Sequence, residues 1–236
     1  MRTLVVILAY NEEDSIGAVV CEVRRELEAD VLVVDDGSED GTWGKALQAG
    51  ARCISLAFNA GIGVAEQAGL QVAAEEDYDF VIRMDGDGQH DPANITLLLD
   101  ALQERQADLV IGSRYHNGRE RGDWSIRLVG NRFLSWLVSR LTSYHITDAT
   151  CGFRGYGRRA VEAFARDYPD DFPEVEALMM SDLKGFRVEE VPISSRQRES
   201  GKSVINVGVA VYYMSKVTLA VAIGGLRGRR GRGTGS

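Results

Sequence analysis

The residues of this chain best suited to chemistry are two carboxylates, Asp85 and Asp87, in the run Met84-Asp85-Gly86-Asp87-Gly88-Gln89. They follow Phe80-Val81-Ile82-Arg83-Met84, a largely apolar stretch of strand character. In an extended chain, side chains two apart project to the same side. Gly86 and Gly88 remove side chains where a bulky anion would approach. Hard oxygen donors of this kind suit Mg2+ or Mn2+, which take one or two carboxylates and complete their shells with water and substrate phosphate. Gln89 could add a neutral oxygen. The competing reading is that the pair caps a helix opened by Pro92. An Asp-x-Asp triplet alone does not separate the two, but its place after an apolar strand, with Gln89-His90-Asp91-Pro92 following, favours the ligand reading.

Other polar clusters recur along the chain: Tyr10-Asn11-Glu12, Asp35-Asp36-Gly37-Ser38, Asn59, and Gly112-Ser113-Arg114. Asp35 and Asp36 suit a turn and equally suit a carboxylate that accepts hydrogen bonds from a base or ribose. His90 reads as a local hydrogen-bonding residue, and the three histidines are not spaced as a metal set. Gly201-Lys202-Ser203 resembles the end of a phosphate-binding P-loop, but Arg196 stands where the earlier glycine belongs. Gly61-Ile62-Gly63 begins like a dinucleotide fingerprint, which Glu66 breaks. No Gly-x-Ser-x-Gly elbow is present.

The elements that must position these clusters follow from periodicity. Leu4–Leu8, Val31–Val34, Ile54–Leu56, Phe80–Met84 and Leu109–Ile111 read as strands. Ile16, Val19, Val20, Val23 and Leu27 recur at helical spacing, as do Leu97, Leu98 and Leu102 after Pro92, a residue tolerated in a first turn. Gly63–Glu76 reads as a helix between the third and fourth strands. Alternating apolar strands and helices imply a parallel sheet covered on both faces, with ligands bound outside the carboxyl ends of its strands. Five strand ends carry the polar clusters, so they describe one site. Further on, Trp124–Leu141 is expected as a helix whose Leu128, Val129, Phe133, Trp136, Leu137 and Leu141 make a broad apolar face. Arg127 and Asn131 share a neighbouring face. A helix over Arg159–Arg166, a strand over Val188–Ile193 and a polar loop over His116–Asp123 complete the pattern.

Composition bounds the function. With 236 residues and a formal net charge of −8, the chain is one large domain or a domain with a tail, and it is not a general nucleic-acid binder, which needs a basic face. Cys21, Cys53 and Cys151 are too scattered for a disulfide framework or a zinc site. With no signal-peptide pattern at Met1-Arg2-Thr3, a cytosolic protein with reduced thiols is expected. Val204–Leu226 is mostly apolar and, as a helix, would measure about 35 Å. Lys216 near its middle would cost a spanning helix about 2.5–3.5 kcal/mol. An interfacial helix followed by a basic Arg227–Gly233 tail therefore fits better than a membrane span, with a core-packing helix and solvated tail as the alternative.

Taken in order, Tyr10-Asn11-Glu12-Glu13, Asp35 to Thr42, Asn59-Ala60-Gly61 and Met84 to His90 resemble the motifs of family 2 glycosyltransferases. Gly112-Ser113-Arg114-Tyr115, Asp148 to Arg154 and Arg198 to Ser203 narrow the resemblance to the dolichyl- and polyprenyl-phosphate sugar transferases, the dolichol-phosphate mannosyltransferases among them. Ala9, Asn131 and Val204 depart from that pattern. The resemblance implies a GT-A fold: a Rossmann-like, mostly parallel α/β sheet covered by helices. Residues 1–112 would form a nucleotide-sugar half and 113–204 an acceptor half, with 205–236 as a helical extension and basic tail, interfacial or disordered. It implies that Tyr10, Asn11, Glu12, Asp35, Asp36, Asn59 and Asp85 hold the nucleotide, and that Asp85, Asp87 and Gln89 hold Mg2+ or Mn2+. Asp87, Arg114 and Arg127 would carry catalysis. Asn131, Asp148, Arg198 and Ser203 would serve the acceptor and a closing loop. The implied reaction moves a sugar with inversion from a GDP- or UDP-linked donor to a polyprenyl or dolichyl phosphate. It would take place peripherally on the cytoplasmic face of a membrane, with an integral-membrane protein as a possible partner. A transferase acting on a soluble or glycan hydroxyl would instead need a carboxylate base, for which Asp148 is the candidate. A catalytically silent nucleotide-sugar-binding protein would keep the donor cluster without turnover.

Overall fold

The computed structural model of the protein describes residues 1–116, 126–170, 172–194 and 196, and of residues 126 and 127 the backbone alone. Its strands are β1 (Thr3–Ala9), β2 (Asp30–Asp35), β3 (Arg52–Ser55), β4 (Phe80–Asp85), β5 (Leu109–Ser113), β6 (Arg154–Gly157) and β7 (Val188–Pro192). They form a single sheet in the order β3-β2-β1-β4-β6-β5-β7. Every pairing is parallel except those of β6, which runs against both β4 and β5. β1 lies deep in the sheet, and each of Leu4, Val5, Val6, Ile7 and Leu8 is buried. Alternate side chains point to opposite faces, so an unbroken apolar run requires cover on both.

That cover comes from α1 (Ile16–Glu26), α2 (Thr42–Gln48), α3 (Ile62–Glu75), α4 (Ile95–Glu104), α5 (Ile126–Leu141), α6 (Arg158–Arg166) and α7 (Pro173–Leu183). α1 buries Ile16, Val19, Val20 and Val23, the stripe its spacing predicts. Full burial of one such side chain contributes about 1.5–3 kcal/mol. α3 packs on β1, β2 and β4 and against α6. The expected mostly parallel sheet covered by helices is the observed fold, and the expected strands and helices recur within a few residues. Pro92 opens a single 3-10 turn, Pro92–Asn94, and α4 proper starts at Ile95.

Three elements were not expected. α2 is short, and β6 reads Arg-Gly-Tyr-Gly with no apolar run. α7 begins at a proline in its first turn and buries Val175, Ala177 and Leu178. The face of α5 also differs from expectation. Val129, Phe133, Trp136 and Leu141 are exposed, while Asn131, Leu134, Ser135 and Val138 are buried. Buried positions 131, 134, 135 and 138 have helical spacing, so the inward stripe is half polar and much of the apolar face is turned outward. The polar loop expected at His116–Asp123 lies, beyond His116, outside the described residues, as does the extension at 205–236. No helix among the described residues is long and apolar enough to cross a membrane.

Candidate active site

At the carboxyl ends of β1, β2, β3 and β4 a cavity of about 330 Å³ opens, lined by Tyr10, Glu12, Asp36, Asn59, Asp85 and Asp87 among others. Residues from four separate strand ends thus converge. Gly61, Ile62 and Ala65, from the start of α3, line the same cavity. A helix N-terminus presents unpaired N–H groups and a positive dipole end, a setting that favours a phosphate.

Local hydrogen bonds fix the loops that carry these residues. Asn11 has a φ of 54°, and Asn is among the few residues that tolerate that region. Its N–H donates to Ser38 Oγ at 2.9 Å, and its Oδ1 accepts from the Glu39 N–H at 2.9 Å. The Glu12 N–H donates to Thr42 Oγ1 at 2.8 Å. The loops after β1 and β2 are therefore stapled together. Asp35 is buried and accepts from the Ser38 N–H (3.0 Å) and the Ser55 hydroxyl (3.2 Å). Asp36 accepts from the N–H groups of Ala60 (2.7 Å) and Gly61 (3.0 Å), tying the β2 loop to the entry of α3. Gly37 has a φ of +72°, and a methyl group there would lie 2.5 Å from the Phe58 carbonyl carbon. Only glycine meets both conditions. Asp36 therefore reaches the cavity, whereas Asp35 and Asn11 hold the loops around it. Tyr10 is 43% exposed and lines the cavity.

The Asp85–Gln89 loop is anchored from several sides. The Gly86 N–H donates to Leu8 O at 2.8 Å, and the Ser15 hydroxyl donates to Gly86 O at 2.7 Å. The Gln89 side-chain amide donates to Asp87 Oδ2, and the Gln89 N–H donates to Asp87 Oδ1 at 3.0 Å. His90 is buried and its ring stacks on Phe153 with centroids 5.1 Å apart. The Asp85 N–H donates to His90 Nδ1 at 3.1 Å, so the ring proton belongs on Nε2, which lies 3.7 Å from Asp85 Oδ2. Burial holds the imidazole pKa below its ordinary value, keeping it neutral. Arg83 Nη2 approaches Asp85 Oδ1 at 2.9 Å.

A metal ion's fit to this site can be judged from its donors. No group of three or more His, Cys, Asp or Glu among the described residues could hold an ion by itself. Two carboxylates and an amide on one loop are instead the donor types of a partial shell that phosphate oxygens would have to complete. That is the mode in which Mg2+, or by like coordination Mn2+, binds with a diphosphate.

A second cluster gathers beyond the end of β5. Arg114 Nε and Nη2 meet Asp148 Oδ2 and Oδ1 at 2.7 and 2.9 Å. Burial would depress the Arg114 pKa, but the Asp148 hydrogen bonds and charge raise it above the usual arginine value. Asn131 Oδ1 accepts from the hydroxyls of Thr150 (3.0 Å) and Ser135 (3.4 Å). Glu190 on β7 accepts from the N–H groups of Thr147 (2.9 Å) and Asp148 (3.0 Å), clamping the segment that carries Asp148. Arg127 lies one turn before Asn131 on α5. Arg198 and Ser203 fall outside the described residues. The chain leading to them is held near the Asp85–Asp91 loop: the Arg196 N–H donates to Gln89 O at 2.9 Å, and its guanidinium pairs with Glu22 (2.6 Å) and Asp91 (2.9 Å).

Two residues that matter here were missed in the sequence. Glu190 carries no local signal. Arg83 does carry one, a charge inside an otherwise apolar strand. Phe153 joins the clusters, since it stacks on His90 and its carbonyl accepts from the Gly112 N–H at 2.9 Å.

The chain matches Glycosyl transferase family 2 over residues 4–164. It is 34% identical over 247 residues to an undecaprenyl-phosphate mannosyltransferase of Micrococcus luteus, covering 98% of this chain and all of that one. It is 34% identical over 245 residues to a polyprenol monophosphomannose synthase of Mycolicibacterium smegmatis, covering 99% of this chain and 91% of that one. Among solved structures, glucosyl-3-phosphoglycerate synthase of Mycobacterium tuberculosis, in complex with Mn2+, UDP and phosphoglyceric acid, superposes with a TM-score of 0.70. That match is 21% identical and covers 93% of this chain and 78% of the synthase, which supports a GT-A fold. With a family profile running from β1 through β6, and relatives aligned over nearly their whole length, the chain belongs to the family 2 glycosyl transferases and is a glycosyltransferase.

Proposed function

We propose that the protein transfers a sugar, with inversion at the anomeric carbon, from a GDP- or UDP-linked donor to a polyprenyl or dolichyl phosphate. The observation that carries this reading is the state of Asp148. Its side chain is fully buried and both oxygens are engaged by Arg114. A hydroxyl acceptor must lose a proton and needs an accessible base, and Asp148, the carboxylate of the acceptor cluster suggested for that role, is closed to it. A lipid phosphate is already ionised at neutral pH. It needs cations to position it, and Arg114, held rigid by Asp148, is one. The two relatives' names, each a polyprenyl-phosphate mannosyl transfer, agree with this acceptor.

Tyr10, Glu12, Asp36 and Asn59 would hold the nucleoside. Asp85, Asp87 and Gln89 would hold Mg2+ or Mn2+ against the diphosphate, and the ion would offset charge developing on the leaving nucleotide. Arg114 and Arg127 would grip the acceptor phosphate. Anchoring of the chain at Arg196 supports Arg198 and Ser203 closing over the site. Residues 1–112 and 113–204 would act as donor and acceptor halves of one sheet. Residues 205–236 would hold the enzyme peripherally on the cytoplasmic face of a membrane, alone or with an integral-membrane protein. The test is turnover of GDP-mannose and a panel of UDP-sugars with undecaprenyl phosphate and Mn2+. Transfer to a soluble sugar but not to the lipid phosphate would overturn the acceptor assignment.

A further inference from the structure

Arg83 is the one charged residue within Phe80–Met84 of β4, and its side chain is 1% exposed. Three carboxylates surround its guanidinium: Glu66 of α3 at 3.5 Å from Nε, Asp85 at 2.9 Å from Nη2, and Glu174 of α7 at 3.9 Å from Nη2. None of the three guanidinium nitrogens makes a well-aligned hydrogen bond, so the group is held chiefly by charge. Burial alone would depress its pKa, and the three carboxylates more than reverse that. Behind it, Tyr156 donates to Glu66, and the second buried cation, Arg154, donates to Glu174 O at 2.7 Å.

A buried ion pair is a poor device for stability alone, because apolar side chains of the same volume do as well or better. Of the three carboxylates around Arg83, Asp85 is the one that lines the donor cavity. The niche also dictates a residue on another segment. A methyl group at Gly152 would overlap Arg83 Nη1, so the guanidinium lies directly against backbone that leads from Asp148 to β6. We propose that Arg83 is a positioning residue of the donor site: it sets the orientation of the Asp85 carboxylate, and Gly152 is the glycine its guanidinium requires. The inference rests on the reading of Asp85 and Asp87 as the metal–diphosphate site. Arg83, its side chain 1% exposed, does not line the cavity. Its effect runs through Asp85, whose Oδ1 lies 2.9 Å from Arg83 Nη2. A lysine keeps the charge but not the planar fork.

The test is calorimetric titration of wild type, Arg83→Lys and Gly152→Ala with GDP and with UDP, each with and without Mn2+. Circular dichroism reports the folded fraction at the titration temperature. Both variants are expected to be folded, with a lower Tm, and to bind nucleotide in the presence of Mn2+ at least tenfold more weakly than wild type. Metal-free nucleotide affinity should stay within about twofold. A purely structural Arg83 would lower the Tm and leave the affinity of the folded protein unchanged. That result in Arg83→Lys, with wild type showing metal-dependent binding, overturns this proposal alone. Wild type without metal-dependent binding overturns the donor-site reading and this proposal with it. Failure of both variants to fold assigns Arg83 to the core and overturns the proposal.

Discussion

Arg114 and Asp148 form a two-pronged ion pair, and the Arg114 backbone N–H also donates to Asp148 Oδ2 at 3.2 Å. The carboxylate thus fixes both the main chain and the side chain of the arginine. Removing one partner leaves a buried charge unpaired, at a cost of about 3–5 kcal/mol. Arg114→Ala should therefore lose about that much stability in urea unfolding, and Arg114→Ala/Asp148→Asn should regain part of it. Lipid-phosphate turnover should remain impaired in both. Recovery of turnover together with stability in the double variant would show that Arg114 matters only to folding.

Arg127→Ala separates acceptor binding from donor binding more cleanly. It should raise the KM for polyprenyl phosphate or lower turnover by about tenfold to a hundredfold, the scale of one charge-assisted hydrogen bond of about 1.5–3 kcal/mol. Nucleotide affinity measured by calorimetry should not change. Collapse of nucleotide affinity would move this arginine to the donor side.

Asp87→Asn should lower kcat by about a hundredfold or more, the scale of losing a main electrostatic stabiliser. The fold should survive, because Asp87 lies at the cavity beyond the end of β4. Wild-type activity should vanish with a chelator and return with Mg2+ or Mn2+. Full, chelator-insensitive turnover in the variant would remove the metal from the mechanism.

The three cysteines should react in order of exposure. Cys21 is exposed, Cys53 half-buried and Cys151 buried. Burial, aided by the neighbouring Asp35 charge, pushes the Cys53 thiol up to about 11. Burial, aided by the Asp148 charge, pushes the Cys151 thiol up to about 12. Thiolate is the reactive form, so native alkylation at pH 8 followed by peptide mass spectrometry should label Cys21 first and leave Cys151 unmodified. Early labelling of Cys151 would mean that the segment carrying Asp148 opens readily.

Membrane attachment should be electrostatic as well as apolar. The arginines at 227, 229, 230 and 232 would each add about 1 kcal/mol on an anionic surface. The outward Val129, Phe133 and Trp136 of α5 offer exposed apolar side chains on the helix that carries Asn131. Co-sedimentation with liposomes should require anionic lipid, weaken with salt, and be lost on deletion after Met214. Equal binding to neutral liposomes at high salt would exclude this mode.

Much of the fold was legible because its signals are local. β1, β2 and β5 are built on continuous apolar runs and β4 on one interrupted only by Arg83, and α1 and α4 repeat their buried residues at helical spacing. β6 was not, since Arg154-Gly155-Tyr156-Gly157 becomes a strand only through antiparallel pairing with β4 and β5. The outward face of α5 was misleading for a related reason: periodicity marks an apolar stripe but not what lies opposite it. In the site, strand-end carboxylates could be read because the topology places all parallel carboxyl ends on one edge. The divided duty of neighbours could not. Asp35 and Asp36 are alike as a dipeptide, and only the positions of Ser55 and of Ala60 and Gly61 give one the turn and the other the cavity. The partners of Arg83 come from α3, β4 and α7, far apart in sequence, and no spacing announces them.

The reversed direction of β6 has a consequence for how such an enzyme can change. Because β6 runs opposite to its neighbours, the chain enters it from the edge where the other strands end, and the segment just before it carries Asp148, Thr150 and Gly152. Residues inserted between α5 and this segment would lengthen the wall around Arg114 and Asp148, while the register of β6 stays pinned by β4 and β5 on either side. The loops after β1, β2 and β4 would not shift. On the proposed reading, acceptor choice can thus drift by insertion or deletion at one connection while the cavity at the ends of β1, β2 and β4 stays the same.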